Sequence, residues 1–219
     1  MSLFVVATPI GNLDDITFRA IKTLKEADLI ACEDTRRTLV LLNHFGIRKT
    51  LVSFHQRSKL KKVEYLVDEL VSGKNIALVT DAGTPGVSDP GGVLVAEALK
   101  AGVTVVPVPG ASALMTLASV SGWPMDRFVF MGFLPHKKGR QTAFEKIMAS
   151  ELPVIFYESP HRLEKALEAL KDSGGKMIIG RELTKKFEEI FRGSCDEAYK
   201  YFRDKKVLGE FVLIFSKDN

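Results

Sequence analysis

The sequence is poor in the residues that cross-link chains or coordinate metals. Its 219 residues include two cysteines, Cys32 and Cys195, and four histidines, and neither type is clustered. Zinc sites need several Cys or His ligands at short spacings, and disulfide-stapled secreted proteins are rich in cysteine. We therefore expect two free thiols, no bound metal and a cytoplasmic location in a reducing compartment.

The sequence also lacks long apolar runs. The longest, such as 154–157 and 211–215, have the length of a strand, whereas a membrane-spanning helix needs about 18 consecutive apolar residues. The chain does not open with a basic segment followed by an apolar core, so we expect no secretory signal and no membrane partner. Hydrophobic residues at 46% and charged residues at 26% are ordinary for a globular protein and exclude a disordered chain.

Neither sign of charge dominates. The 31 Lys and Arg residues outnumber the 27 Asp and Glu residues, and the net charge of +4 is spread over both halves of the chain. The resulting pI of about 9.0 permits a nucleic-acid partner, but many basic metabolic enzymes have the same balance.

What the first half does contain is an alternation of apolar runs and amphipathic segments. The runs cover 3–7, 29–32, 76–79 and 103–108. Because they are rich in Val, Ile and Leu, they predict strands buried on both faces, in a mostly parallel sheet with helices on either side. One such helix is predicted over 93–100. The acidic pair Asp14 and Asp15 is expected at the N-terminus of the first helix, where exposed N–H groups favour negative charge.

The second half predicts a mixed sheet, because several of its strands are separated by a few residues and others by one helix. The strand candidates are 128–134, 154–157, 177–180, 187–191 and 211–215, and the helix candidates are 113–120, 141–149, 163–171 and 196–204. The whole chain is therefore predicted to be an α/β protein of two domains, 1–112 and 113–219, divided after the turn at Pro109 and Gly110.

Three loops that directly follow strands of the first half are candidates for a ligand site. They cover 7–13, 81–92 and 108–113, and α/β proteins bind ligands at the carboxyl ends of their strands. The loop at 7–13 has neither the glycine pattern of a dinucleotide site nor that of a phosphate-binding loop, and the three loops together lack a cluster of Arg or Lys that could clamp a phosphate. Asp81 can accept hydrogen bonds from hydroxyls or an amine, which favours a nucleoside-like ligand. Tight turns, a helix cap and a structural Ω-loop are the alternatives.

Polar clusters lie at three strand ends of the second half, at 157–162, 181–186 and 209–210. They predict one wall of a cleft, although Glu158 and Arg162 could also be a weak surface ion pair. Basic clusters occur at 36–37, 59–62 and 136–140. Each is either a solvated face or a contact for RNA, and Phe133 could stack a base beside the last one.

Eight motifs in order resemble those of one known family. They are TPIGNLDDIT at 8–17, EDTR at 33–36, DAGTP at 81–85 with SDPG at 88–91, PVPG at 107–110, GFLP at 132–135, FYESPHR at 156–162, RELTK at 181–185 and GE at 209–210. Together they resemble the bacterial 16S ribosomal RNA cytidine 2′-O-methyltransferases, within the tetrapyrrole-methylase superfamily. The tetrapyrrole enzymes themselves lack the EDTR and RELTK pair.

The resemblance implies S-adenosylmethionine as methyl donor, bound in the cleft between two α/β domains, and a homodimer. It implies methylation of the ribose 2′-hydroxyl of a cytidine in the decoding region, on 16S rRNA or on the assembled small ribosomal subunit. The sequence departs from the family where a His-x-His-Asn element is replaced by HQRS at 55–58. Some members also have a longer C-terminal extension, so we expect any RNA contact made there to be absent.

The resemblance also suggests roles for individual residues. We expect the donor to contact Ile10, Asp81, Thr84, Gly110, Ser112, Ala113, Tyr157 and Leu183. The catalytic candidates are Glu33, Glu182 and Lys185, with the identity of the base left open. The RNA-binding candidates are Arg36, Arg37, Lys137, Lys138, Arg140 and Arg162. The alternatives are a small-molecule methyltransferase of the tetrapyrrole type and a non-catalytic RNA-binding protein of the ribosome.

Overall fold

A computed structural model describes residues 1–54, 60–205 and 208–217. Its contacts divide the chain into two compact units, Met1–Ser112 and Ala113–Asn219. That each unit is an independently folding domain stays a prediction. In the described part of the chain, every helix is too short or too polar to cross a membrane.

The first unit is a parallel sheet flanked by helices. Its elements are β1 (Ser2–Val6), a 3-10 helix (Leu13–Asp15), α1 (Phe18–Glu26), β2 (Leu29–Cys32), α2 (Thr35–His44), β3 (Thr50–Ser53), α3 (Leu60–Val71), β4 (Ile76–Leu78), α4 (Gly91–Lys100) and β5 (Thr104–Val108). The strand order is β3-β2-β4-β1-β5, and every pair is parallel. The parallel sheet expected from the apolar runs is therefore confirmed.

Two apolar clusters cover the two faces of this sheet. Side chains alternate along a strand, so Ile76 and Leu78 pack with α3 and α4 on one face, while Ala77 and Val79 pack with α1 and α2 on the other. Helices on both faces of a parallel sheet leave its strand ends as the place where polar loops gather.

The start of α1 differs from the prediction. Asp14 and Asp15 lie in the preceding 3-10 helix, and Thr17 caps α1 by accepting a hydrogen bond from Ala20 N at Oγ1 (3.0 Å). The acidic pair instead lies in the first turn of that short helix, and α1 begins only after Thr17, whose hydroxyl occupies the N-cap position directly before Phe18. The elements between 35 and 71, namely α2, β3 and α3, were not predicted.

The second unit has a mixed sheet. Its elements are α5 (Ala113–Ser119), β6 (Val129–Phe133), α6 (Arg140–Ala149), β7 (Val154–Glu158), α7 (Pro160–Leu170), β8 (Lys176–Arg181), β9 (Glu189–Ser194), α8 (Cys195–Phe202) and β10 (Phe211–Ser216). The order is β6-β7-β10-β8-β9, with β6 and β7 parallel and the other pairs antiparallel. The mixed sheet is thus confirmed, and its last strand lies in its centre.

Register places the polar clusters of this unit at one edge of the sheet. Phe211, which begins β10, lies opposite Glu158 at the end of β7 and opposite Arg181 at the end of β8. Phe133, at the end of β6, lies opposite Tyr157. The loops that follow β6, β7 and β8 and the turn that precedes β10 therefore share this edge.

Candidate active site

The three ligand-loop candidates of the first unit come together, as predicted. Thr8 and Gly83 exchange backbone hydrogen bonds (N···O 2.9 and 3.0 Å), and Thr84 Oγ1 donates to Ala111 O (3.2 Å). Ala7 N donates to the carbonyl of Val108 at the end of β5 (3.1 Å). These bonds join the loops after β1, β4 and β5 into one surface at the edge of the parallel sheet.

Two glycines allow the backbone of these loops to approach so closely. A Cβ atom on Gly110 would lie 3.0 Å from Ala7 Cβ, and Gly83 has a φ of +81°, a region that L-residues rarely adopt. Ile10 is buried beside Gly83 and Ser112 is half-buried at the end of the unit. Small residues and exposed backbone groups at a strand edge suit a flat ligand that contacts main-chain atoms.

Asp81 begins a polar cluster at the same edge. Its Oδ1 accepts a hydrogen bond from Asp34 N (3.0 Å), and its Oδ2 lies 3.6 Å from Arg37 Nε. The Asp34 carboxylate accepts from Arg36 N (2.8 Å), Nε (3.0 Å) and Nη2 (2.6 Å). These hydrogen bonds from Arg36 lower the pKa of Asp34 to about 2. Both arginines are thus paired with carboxylates, although their side chains remain largely exposed.

Glu33 lies at the carboxyl end of β2 and is half-buried. Its Oε2 accepts a hydrogen bond from Thr80 Oγ1 (2.9 Å), and the Thr80 carbonyl accepts one from Thr8 Oγ1 (3.2 Å). The two threonines were not predicted as site residues. Their positions directly after β1 and β4 were the available signal.

The second unit gathers Glu182, Lys185 and Glu210 at its polar edge, and we call these three side chains the carboxylate–lysine cluster. Lys185 Nζ lies 2.9 Å from Glu182 Oε1 and 2.9 Å from Glu210 Oε2. Glu210 N also donates to Glu182 Oε1 (2.9 Å), and Glu182 N donates to Glu210 O (3.0 Å). Two of the three were predicted as catalytic. Glu210 was missed as a site residue although its polar position before β10 was noted.

The cluster determines the charge of its members. Partial burial opposes ionisation of Lys185, but its hydrogen bonds to the two carboxylates outweigh this effect and raise its pKa above the ordinary value of 10.5. Burial likewise raises the pKa of Glu182, yet the bonds from Lys185 and from the Glu210 N–H outweigh it and hold that pKa below 4.5. Near neutral pH the lysine is therefore a cation and Glu182 an anion.

The backbone around the cluster is strained. Glu182 has a φ of 48° and Thr184 a φ of 66°, which is a rare conformation for a β-branched residue. Gly209 has a φ of 106°, and a Cβ atom there would lie 2.5 Å from Glu182 Cγ. Thr184 Oγ1 is buried without a hydrogen-bond partner among the described residues. Strain and an unsatisfied hydroxyl together are typical of functional sites.

The remaining donor-site candidates of the second unit lie near the same sheet. The Tyr157 ring is in contact with Phe130 and Phe133 (centroids 5.2 Å apart in both pairs), and burial raises the pKa of its phenol. Leu183 is buried beside the strained loop, and Ala113 begins α5.

The basic segment between β6 and α6 divides into two groups. Lys137 and Lys138 are exposed, whereas Arg140 and Arg162 both bind the Glu158 carboxylate, with N···O distances of 2.7 Å. The Glu158 side chain is fully buried, so the interpretation of Glu158 and Arg162 as a surface pair is wrong. Sequence spacing showed the i,i+4 relation but could not show that α6 contributes a second arginine from the other side.

Two remaining points concern the segment after β3 and metal binding. The HQRS segment at 55–58, and with it His55, lies outside the described residues, as does Lys59 of the basic cluster 59–62. Within residues 1–54, 60–205 and 208–217, no three His, Cys, Asp or Glu side chains are grouped so that they could hold a metal ion.

Comparison with known proteins agrees with this architecture. The family model described as Tetrapyrrole (Corrin/Porphyrin) Methylases matches residues 2–199. Uroporphyrin-III C-methyltransferase from Thermus thermophilus, solved in complex with S-adenyl homocysteine, has a TM-score of 0.69 at 16% identity, covering 99% of this chain and 98% of that one. At that identity the likeness shows the fold, and the predicted tetrapyrrole-methylase architecture of parallel and mixed sheets is confirmed.

Two relatives are much more similar in sequence, and both are named ribosomal RNA small subunit methyltransferase I. The protein from Halalkalibacterium halodurans is 51% identical over 216 residues, covering 97% of this chain and 75% of the relative. The protein from Thermotoga maritima is 46% identical over 216 residues, covering 98% and 97%. The resemblance inferred from the eight motifs is confirmed: the chain belongs to the tetrapyrrole methylase family, in the group of ribosomal RNA small subunit methyltransferase I proteins.

Proposed function

We propose that this protein transfers a methyl group from S-adenosylmethionine to the ribose 2′-hydroxyl of a cytidine in the decoding region of 16S rRNA. The names of the relatives support an RNA of the small ribosomal subunit as substrate. The observation that carries the chemistry is the carboxylate–lysine cluster, in which an ammonium that is charged near neutral pH meets two carboxylates beside a strained loop.

The edge of the first unit fits the donor. S-adenosylmethionine supplies a methyl group on a positively charged sulfur, and it needs acceptors for its ribose hydroxyls and amino group and a small-residue surface for its adenine. Asp81 provides a carboxylate, and the close approach of Gly110 to Ala7 leaves a surface that a larger side chain would fill. Ile10, Thr84 and Ser112 would contact the donor there. In the second unit, Ala113, Tyr157 and Leu183 are the proposed donor contacts.

The donor sulfonium leaves as a neutral thioether, so its positive charge would pass to the oxygen of the new ether. The acceptor hydroxyl must therefore lose its proton as the C–O bond forms. A ribose hydroxyl is a weak acid, so a cation that stabilises the developing alkoxide lowers the barrier. Lys185 keeps its charge and has that role in our proposal. The Glu182 or Glu210 carboxylate accepts a hydrogen bond from the hydroxyl and orients it, which contributes through alignment. In our proposal the same carboxylate takes up the hydroxyl proton as the C–O bond forms and then releases it to water. Glu33 is the remaining acidic candidate for this task.

The basic side chains at both edges would contact RNA phosphates. Arg36 and Arg37 are proposed to do so in the first unit, and Lys137 and Lys138 in the second. Such contacts release counterions, so the affinity should fall with added salt. We further propose that the protein is cytoplasmic and that it forms a homodimer. Sedimentation at increasing protein concentration would test the dimer.

The decisive experiment is transfer of labelled methyl from S-adenosylmethionine to small ribosomal subunits purified from a strain that lacks this methylation, followed by nucleoside analysis. Label in 2′-O-methylcytidine is the expected result. Label in a base, or in a tetrapyrrole substrate offered in parallel, would contradict the proposal and indicate a different methylase. Donor binding measured by calorimetry on the same protein shows that a negative result is not caused by misfolding.

A further inference from the structure

The loop between β6 and α6 has an internal anchor that the proposed function does not use. We define residues 134–140 as the basic loop. It carries the exposed Lys137 and Lys138, and it is connected to one carboxylate, that of Glu158, whose side chain is 0% exposed. Both ends of the loop reach this carboxylate through guanidinium groups.

Arg140 connects the second end of the loop. Its Nη2 donates to Glu158 Oε2 (2.7 Å), its Nη1 donates to Pro135 O (3.2 Å), and its guanidinium lies over the Phe144 ring at 5.0 Å from the centroid. Arg140 is also the first residue of α6, and its N–H donates to Lys137 O (3.1 Å). The last residue of the loop thus contacts its beginning and its middle.

Arg162 connects the first end from the other side of the carboxylate. Its Nη2 lies 2.7 Å from Glu158 Oε1, and its Nη1 donates to Leu134 O (3.1 Å). Ser159 supports this geometry, because its N–H donates to Glu158 Oε1 (2.8 Å) and its Oγ accepts from Arg162 Nε (3.1 Å). Both carbonyls at the start of the loop are therefore held by arginines that share one acceptor.

Stability alone is a weak explanation for this arrangement. Burying three charged groups has a large desolvation penalty, and apolar side chains of the same volume often stabilise a core as well or better. A fixed fork of guanidinium donors instead specifies one backbone geometry. Both arginine side chains are 15% exposed, so their charged groups have little surface left for a phosphate.

We propose that Glu158, Arg140 and Arg162 are positioning residues that hold the basic loop in one conformation. Because the loop is already ordered, Lys137 and Lys138 meet RNA phosphates without a further loss of loop entropy on binding. The inference rests on the proposed function, since it deepens the RNA contact of that same loop. It assigns Arg140 and Arg162 to the loop itself rather than to direct contact with RNA. An ordered loop binds more tightly because the entropy of ordering it has already been lost on folding.

A double-mutant cycle tests this inference. Four proteins are compared: wild type, Glu158→Gln, the pair Lys137→Ala and Lys138→Ala, and all three changes together. We measure KM for unmethylated small subunits and kcat. Glu158→Gln should raise KM about tenfold and change kcat less than about twofold, and it should have no further effect once both lysines are absent, since coupled residues are non-additive.

The same increase in KM with and without the lysines would overturn the inference, because the loop lysines would not mediate the effect. A fall in kcat with unchanged KM would also overturn it. If Glu158→Gln does not fold, Arg140→Lys replaces it in the cycle, since a lysine keeps the charge but cannot reach Glu158 and Pro135 O together. Arg203→Lys, on an exposed pair with Asp204, is the matched control and should change nothing.

The outcomes also separate this inference from the proposed function. Absence of methyl transfer by the wild-type protein contradicts the proposed function as a whole. Normal transfer with a KM that does not respond to loss of Lys137 and Lys138 leaves the methyltransferase intact, and it overturns only the assignment of the loop as an RNA contact.

Discussion

Lys185 is the residue on which the proposed chemistry depends most directly. It is held between two carboxylates at 2.9 Å from each, which raises its pKa, favours the charged ammonium near pH 7 and argues against a role as general base. In our proposal its role is electrostatic, and the carboxylates of Glu182 and Glu210 would orient both the ammonium and the acceptor hydroxyl.

Replacing Lys185 should therefore affect catalysis and spare donor binding. We expect Lys185→Ala to lower kcat by about 10²- to 10³-fold, the usual effect of removing one group that stabilises developing negative charge. The dissociation constant for S-adenosylmethionine, measured by calorimetry, should stay within about twofold of wild type. Lys186→Ala removes the same charge one residue later from an exposed position and serves as control. Equal activity of the two variants would exclude the catalytic role.

The pH dependence follows from the two shifted groups. The raised pKa of Lys185 keeps it charged until the pH exceeds 10.5, and the lowered pKa of Glu182 keeps it ionised until the pH falls below 4.5. Stability contributed by the lysine is lost only as the pH rises through its folded-state value, and that of the glutamate only as the pH falls through its own. We expect kcat to be flat from about pH 6 to 9. An inflection near pH 7 would indicate a base outside the cluster.

At the scale of elements, α4 begins with two adjacent glycines, Gly91 and Gly92, that lie in different environments. Asp89 Oδ1 accepts hydrogen bonds from Gly86 N (2.8 Å) and Gly91 N (2.7 Å), and a Cβ on Gly91 would lie 2.9 Å from that oxygen and 3.0 Å from Gly86 N. A Cβ on Gly92 would meet nothing within 4 Å. One glycine is thus required by packing, and the other is not.

This pair gives opposite predictions for the free energy of unfolding. Gly92→Ala should raise it by about 0.4–1 kcal/mol, because alanine has less conformational entropy to lose and favours the helix. Gly91→Ala should lower it by about 1–3 kcal/mol through steric strain in a tight turn. Urea unfolding with a shared slope measures both. Donor affinity should fall for Gly91→Ala alone, because only this change disturbs the loop that carries Asp81.

The turn before β10 is the second element that packing controls. Gly209 is at a φ of 106° and its Cα faces the Glu182 side chain. We expect Gly209→Ala to displace Glu182 and to lower kcat at least tenfold, since a shift of about 1 Å in a catalytic group is sufficient for a larger loss. Gly174→Ala is the control for backbone strain, because Gly174 has a φ of 73° and open space around it. Equal kcat values for the two variants would show that the contact with Glu182 is unimportant.

For the whole molecule, the net charge of +4 is small, so in our proposal local basic groups carry the contact with RNA. Removing both Lys137 and Lys138 should weaken RNA binding and reduce the slope of log affinity against log salt by about 1.4, at about 0.7 for each contact with single-stranded RNA. Filter binding at four salt concentrations measures the slope. An affinity loss at constant slope would mean that neither lysine meets a phosphate.

The sequence by itself determined the α/β class, the parallel and mixed sheets and the identity of the polar edges. Strands such as β2 and β10 are uninterrupted apolar runs, and such runs can only be buried on both faces. Helices α2 and α3 carried a recognisable apolar periodicity, and Asp34 caps α2 as a sequence signal would suggest. They could have been predicted, whereas the short, half-buried edge strand β3 has no distinctive pattern.

Only the tertiary structure decided which polar residues share a site. Glu158 meets Arg140 across 18 positions because β6 and β7 are parallel neighbours, so the end of β7 lies beside the loop that follows β6. Lys185 meets Glu210 across 25 positions because β10 pairs with β8, which brings the turn before β10 to the loop after β8. Local propensity contains no information on such contacts, since they depend on strand order and on burial. Burial pairs Arg162 with Glu158, which is the reason that we assign it to the anchor of the basic loop in our proposal rather than to direct contact with RNA.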